Sequence, residues 1–325
     1  MNNRYHVIDG LRYHVTEWGT GEPLLMLHGF TGSGATWLSF SNQFGKQYRV
    51  LAVDLPGHGR TDAPLDIARY RMERVAADLV HLLTELQATP AHWLGYSMGG
   101  RLALHAAARL PEHVRTLVLE SASPGLATVA EREARRAQDE ELARRIEVEG
   151  MAAFVDYWER LPLFASQSRL SPDRLAEQKA GRLHNSVKGL AGSLRGMGTG
   201  SQPSLWDSLA GLTIPGLLLA GELDEKFAAI NRRMSETWAT VELTIVSDPG
   251  HAVHLERPEL FAAIVPDFLE RALEHNGQDL TNRKQRDERE RGKRHLLEPR
   301  IESRQIIGPT DRHAVAIEQR NRQEE

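Results

Sequence analysis

The sequence predicts an α/β protein, a mostly parallel sheet flanked by helices with a helical lid inserted into it. Three observations predict it. Short apolar runs recur through residues 1–275, several of them stopping at a glycine or an acidic residue. Segments with apolar residues at helical spacing separate them, the alternation that a parallel sheet requires. Residues 124–205 hold helical segments and no convincing strand, so they read as an insertion.

Residues 4–8 and 11–17 are extended runs split by Asp9-Gly10, a strong short-range hairpin signal. Residues 23–27 stop at His28-Gly29 and residues 49–53 stop at Asp54, as strands buried on both faces would. A helix follows at 72–86, with Val75, Leu79, Leu82, Leu83 and Leu86 along one side. A strand at 92–95, a helix at 98–110 and a strand at 114–119 continue the alternation. The insertion opens with a highly charged helix at 129–149, then 151–158, then further helical pieces to Met197. Gly196 to Ser201 reads as a flexible linker that closes it. The alternation resumes with strand 214–220, helix 227–237, strand 241–246 and helix 258–273. Ligands bind such sheets at the carboxyl ends of the strands. The expected organisation is a core of 1–123 and 206–275, a lid of 124–205 and a tail of 276–325.

The tail stands apart by composition. Of the chain's 40 basic and 44 acidic residues, 12 and 10 fall in 276–325, leaving a body of 28 against 34. No Phe, Trp or Tyr occurs there, so little apolar surface offsets the entropy of ordering, and the tail reads as charged and disordered. A formal net charge of -4 lacks the basic excess of a nucleic-acid binder. The absence of cysteine removes disulfide scaffolds, thiolate metal sites and thiol nucleophiles. The start has no basic region followed by an apolar run, and no stretch is long enough to span a bilayer. The expectation is a cytoplasmic protein with no membrane or nucleic-acid partner, no metal and no required cofactor. Oligomeric state is not legible.

Gly95-Tyr96-Ser97-Met98-Gly99 matches G-x-S-x-G between a strand and a helix, the context of a nucleophile elbow. A serine hydroxyl needs a histidine to take its proton, and that histidine needs an acid to fix its tautomer. His251 sits in a Gly-His step between the last strand and the final helix, and Asp224 follows strand 214–220. Asp224 is preferred over Glu222 and Glu225 because the loop must turn before a carboxylate can point back. Glu120, at the end of an earlier strand, is the runner-up acid. His254 reads as structural. The loop His28-Gly29-Phe30-Thr31-Gly32 aims the Phe30 amide at a developing oxyanion, with the Met98 amide as second donor.

With these pieces in order the chain resembles the α/β-hydrolase fold. Its segments LHGFTGS (27–33), DLPGHG (54–59), GYSMGGR (95–101), GELDEKF (221–227) and GHAVH (250–254) resemble one family within it. That family is the 2-succinyl-6-hydroxy-2,4-cyclohexadiene-1-carboxylate synthases of menaquinone biosynthesis. SPGL (123–126), EREARR (131–136), YWERLPLF (157–164) and SLRGMGTGSQP (193–203) resemble it too; Arg101 and the lid segments discriminate most. The likeness covers residues 4–272 and has no counterpart for the tail. It implies a lyase that eliminates pyruvate from a succinyl-enolpyruvyl-hydroxycyclohexene carboxylate, the triad serving as base without an acyl-enzyme. It implies a small polycarboxylate as partner, and carboxylate-binding roles for Arg135 and Arg195, with Arg132 and Arg136 as near alternatives. Arg101, one helical turn after Ser97, is placed for the same task, since guanidinium forks pair well with carboxylates. Tyr96 and Trp158 are expected pocket walls. The alternatives are a serine hydrolase of a carboxylic ester or carbon–carbon bond and a non-catalytic ligand-binding protein of the same fold. Pocket charge separates the first, because an esterase of apolar substrates needs no converging arginines.

Overall fold

Asp9 and Gly10 both adopt positive φ, at 47° and 76°, and turn strand β1 (Asn2–Ile8) into β2 (Leu11–Trp18) as an antiparallel hairpin. The structure is a computed structural model and describes residues 1–273. The expected tail, 276–325, lies outside the described residues. Six more strands join the hairpin in one eight-stranded sheet: β3 (Glu22–Leu27), β4 (Tyr48–Val53), β5 (Ala91–Tyr96), β6 (Val114–Glu120), β7 (Gly216–Gly221) and β8 (Val241–Val246). The order is β1-β2-β4-β3-β5-β6-β7-β8. β2 meets β4 antiparallel, and every pair from β4 to β8 is parallel.

The chain steps outward from β3 to β4 and then crosses back to β5, so strand order reverses between β3 and β5. The loops after these two strands therefore flank the crevice where doubly wound sheets bind ligands. Those loops are His28–Gly32 and Ser97. β7 starts two residues later than expected because Pro215 has no N–H to give the ladder.

Helices α1 (Ser41–Phe44), α2 (Met72–Glu85) and α3 (Met98–Arg109) lie outside the sheet. Leu79, Leu83, Leu102 and Trp93 fill one face of the sheet, and Trp37, Phe44, Phe261 and Leu269 fill the other. Phe261 and Leu269 come from a closing helix over 258–273. Both faces are thus covered, as a parallel sheet requires.

Between β6 and β7 the helices α4 (Val129–Trp158), α5 (Pro172–Leu183) and α6 (Val187–Met197) form the insertion. α4 begins at a capping box of Thr128 and Glu131. It breaks at Gly150, whose φ of 78° is open to glycine and strained for other residues, so 129–149 and 151–158 are two helices across a kink. Ile146, Phe154, Leu190 and Leu194 give the insertion a small core of its own. The expected flexible linker at 196–201 is a packed segment instead. The Gly200 amide donates to the buried Asp139 carboxylate at 2.9 Å, and a side chain at Gly200 would sit 2.3 Å from the Arg136 nitrogen. These glycines permit close packing rather than motion. After it come α7 (Glu225–Ser235), whose first turn is capped by Asp224, and α8 (Val253–Glu256).

Two fully buried histidines make the body sensitive to acid. Burial pushes His58 and His92 down to about 3, so both stay neutral in the fold. An unfolded histidine takes a proton near pH 6.5, so the unfolded state gains protons first and stability falls as pH drops through that value. Urea denaturation at pH 7.5 and pH 5.5 should differ by about 3 kcal/mol from this pair, roughly 1.4 kcal/mol per histidine. A flat profile between those pH values would show that the two rings do not stay neutral.

Candidate functional site

Ser97 joins β5 to α3 with φ 50° and ψ -105°, a strained elbow that lifts its side chain away from the backbone. Two glycines make the turn possible. A Cβ on Gly95 would lie 2.4 Å from the Gly99 main chain, and one on Gly99 would lie 2.4 Å from the Leu27 carbonyl oxygen. The nucleophile strand and the oxyanion-side strand therefore meet over bare backbone.

His251 reaches Ser97 Oγ from its Nε2 at 3.0 Å, and its Nδ1 contacts Asp224 Oδ2 at 2.6 Å. A carboxylate only accepts, so Nδ1 carries the proton and Nε2 is left to accept from the serine hydroxyl. Both His251 and Asp224 are buried. Asp224 holds two posts, because its other oxygen accepts the Phe227 amide at 3.3 Å and caps α7. The cap anchors the carboxylate on a helix end, and the acid points at the histidine from there. Glu120, the runner-up, engages His254 instead, at 2.9 Å. Glu222 and Glu225 are exposed.

On the other side of the crevice the Leu55 amide donates to His28 Nε2 at 3.0 Å, which leaves Nδ1 as the donor to the Gly29 carbonyl at 2.8 Å. Gly32 donates to that same carbonyl at 3.0 Å. With the Gly29 carbonyl tied down, the Gly29–Phe30 peptide has a set orientation. Met98 is the first residue of α3, where main-chain amides have no helical partner. Phe30 and Met98 both line a cavity of about 850 Å³ that also holds Ser97 and His251.

Tyr96 and Trp158 line the same cavity, and Trp158 packs edge-on against Phe30 at 5.3 Å between ring centroids. Arg101 lines it as well. Its buried guanidinium donates to the Met197 carbonyl at 3.0 Å and to Gln202 Oε1 at 2.9 Å. Burial and the neighbouring Arg135 charge push it down to about 10, which leaves it protonated at neutral pH. Arg135 borders the cavity and donates to Asp139 at 2.7 Å.

Arg195, expected to bind a carboxylate, is turned toward α4. It is absent from the cavity wall, and its guanidinium is gripped by Glu140 at 2.9 Å and Glu147 at 2.6 Å on α4. Those two partners hold its pKa well above the ordinary arginine value. The face of α6 that carries Arg195 turns toward α4, and its charge is spent within the insertion. Arg132 and Arg136, the near alternatives, bond to main-chain carbonyls and lie outside the cavity wall as well. The residue the sequence reading missed is Arg182, near the end of α5, which lines the cavity beside Phe164 and donates to Glu159 at 2.8 Å. Arg174 and Lys226 line it too. Asn185 ties this end of the insertion down, donating to the Thr31 carbonyl at 2.7 Å and accepting from Gly59 at 2.9 Å.

Comparison with known proteins gives four concordant findings. The alpha/beta hydrolase fold model matches residues 22–258. A Bacillus subtilis (strain 168) protein, provisionally named a 2-succinyl-6-hydroxy-2,4-cyclohexadiene-1-carboxylate synthase, is 46% identical over 265 residues. That match spans 81% of this chain and 96% of the relative. A Serratia proteamaculans (strain 568) protein of the same synthase name is 33% identical over 76% of this chain and 92% of its own. Among solved structures, MenH from S. aureus superposes with a TM-score of 0.77 at 33% identity, covering 80% of this chain and 98% of that one.

Proposed function

The chain belongs to the 2-succinyl-6-hydroxy-2,4-cyclohexadiene-1-carboxylate synthases of the α/β-hydrolase fold, and from that premise we propose that Ser97, His251 and Asp224 form the base of a pyruvate elimination. The reaction is a carbon–oxygen lyase step of menaquinone biosynthesis. Its substrate, 2-succinyl-5-enolpyruvyl-6-hydroxy-3-cyclohexene-1-carboxylate, loses a ring proton and its enolpyruvyl group and becomes the cyclohexadiene.

In this reading the serine oxygen takes the ring proton as its own hydroxyl proton passes to His251 Nε2. Asp224 stabilises the imidazolium that forms. Negative charge moves onto the succinyl carbonyl oxygen, where the Phe30 and Met98 amides would meet it. The ring carbon–oxygen bond then breaks, the new ring double bond forms, and the enolate of pyruvate leaves and gains a proton. No acyl-enzyme is needed.

The observation that carries the proposal is the pairing of this base with Arg101, Arg135 and Arg182 around one cavity. A neutral ester gives three guanidinium groups nothing to bind, whereas a polycarboxylate matches them. The helical insertion would act as the lid that brings Arg135 and Arg182 over the sheet. A cytoplasmic setting belongs to the same proposal; no helix among the described residues is long and apolar enough to cross a membrane.

Purified protein should release pyruvate from the enolpyruvyl substrate, followed through lactate dehydrogenase and the loss of NADH absorbance. Hydrolysis of a neutral ester without any pyruvate would replace the lyase by a serine hydrolase, with Ser97 attacking carbon instead of taking a proton.

A further inference from the structure

We infer that Glu120, through His254, is a positioning residue for the Ser97–His251 couple, an inference that rests on the proposed base role of that couple. Glu120 ends β6 and is fully buried. Its main-chain carbonyl accepts the Ser97 amide at 2.8 Å. Its carboxylate accepts the His254 amide at 3.0 Å and the His254 Nδ1 proton at 2.9 Å. One residue therefore holds the nucleophile loop by its backbone and the histidine loop by its side chain.

His254 lies three residues beyond His251, so fixing its amide fixes the turn that carries the base. The ring of Tyr96 fills the space between the two histidines, with centroids 5.4 Å from His251 and 4.7 Å from His254. Trp37 packs on His254 at 5.0 Å. A carboxylate removed from water demands donors, and those it finds sit on the loop that must not move. A displacement of that loop would lengthen the 3.0 Å approach of His251 to Ser97, on which proton transfer depends.

The test uses the full chain with Glu120→Ala, Glu120→Gln, His254→Ala and His254→Asn. Two readouts are taken: kcat and KM for pyruvate release, and the rate at which a phosphonofluoridate labels Ser97. Labelling forms the Oγ–P bond, breaks P–F, passes the hydroxyl proton to His251 and releases fluoride, so it needs no substrate. Absence of pyruvate from the wild type would refute the lyase reading alone, with labelling still deciding this one. Absence of labelling in the wild type would overturn both the base role and the positioning role.

Glu120→Ala should lower kcat and labelling together by about tenfold or more, with KM changed less than about twofold. Glu120→Gln keeps an oxygen that accepts both donors and should restore both rates to within about threefold of wild type. If Glu120→Ala does not fold, the second pair decides. His254→Asn places an N–H near the lost Nδ1 and should label at close to the wild-type rate, while His254→Ala should lose it. Equal rates for each alanine and its conservative partner, or a loss confined to KM, would overturn the inference.

Discussion

Ser97→Ala and His251→Ala should each lower kcat for pyruvate release by about 10³-fold or more, while KM should stay near the wild-type value. The size follows from what is removed. Without Oγ no atom stands at the ring proton, and without the imidazole the serine hydroxyl has nowhere to send its own. Neither change touches the guanidinium groups around the cavity, which the proposal assigns to the substrate carboxylates, so binding should survive. The two residues act as a unit, so the double variant should be no slower than the worse single one. A double loss equal to the product of the single losses would mean that each works on a separate step. Retained pyruvate release in Ser97→Ala would remove the serine from the mechanism altogether.

The parts of this site that were legible in the sequence are those decided locally. Gly95-Tyr96-Ser97-Met98-Gly99 reads as an elbow because the crowding that excludes side chains there is between near neighbours, Gly95 against Gly99. Asp9-Gly10 reads as a turn for the same reason. Asp224 and His251 follow from their places after β7 and β8, since parallel strands send their carboxyl ends to one edge. The break in α4 at Gly150 also separates the two helices read at 129–149 and 151–158.

What was not legible depends on how one helix docks on another. Arg195 and Arg182 look alike in sequence, each near the end of a helix in the insertion. Arg195 turns from the cavity because Glu140 and Glu147, seven residues apart on α4, present two carboxylates on one face. That spacing was a signal available in the sequence. Arg182 has no such mark, and only the lie of α5 over the sheet brings it to the cavity wall. The glycines at 196–201 show the same limit. Composition alone reads them as loose, yet they are small because Tyr70, Asp139 and the Arg136 main chain come close.

Arg101 bonds within the fold and lines the cavity, so on the proposed function its replacement tests folding and binding on one side chain. Arg101→Met removes the charge while keeping most of the volume, and Arg101→Lys keeps the charge without the fork. Arg101→Met leaves the Met197 carbonyl and Gln202 Oε1 short of a donor, a loss of about 1–3 kcal/mol in stability, and Arg101→Lys, which keeps ammonium donors, should lose less. On binding, removal of one member of a buried charge-assisted pair costs roughly 2–5 kcal/mol, so Arg101→Met should lower kcat/KM by about 30- to 5,000-fold. The loss should fall mainly on KM, because the substrate carboxylates exist before the reaction and bind the ground state as well as the transition state. Arg101→Lys should fall between, since a point charge replaces a bidentate contact. A substrate with one carboxylate methylated supplies the control. The ester that Arg101 faces should weaken wild type and leave Arg101→Met almost unchanged, whereas a purely structural Arg101 would let every ester weaken both proteins alike. Equal penalties across all the esters would return this arginine to the fold and leave Arg135 and Arg182 as the carboxylate-binding pair.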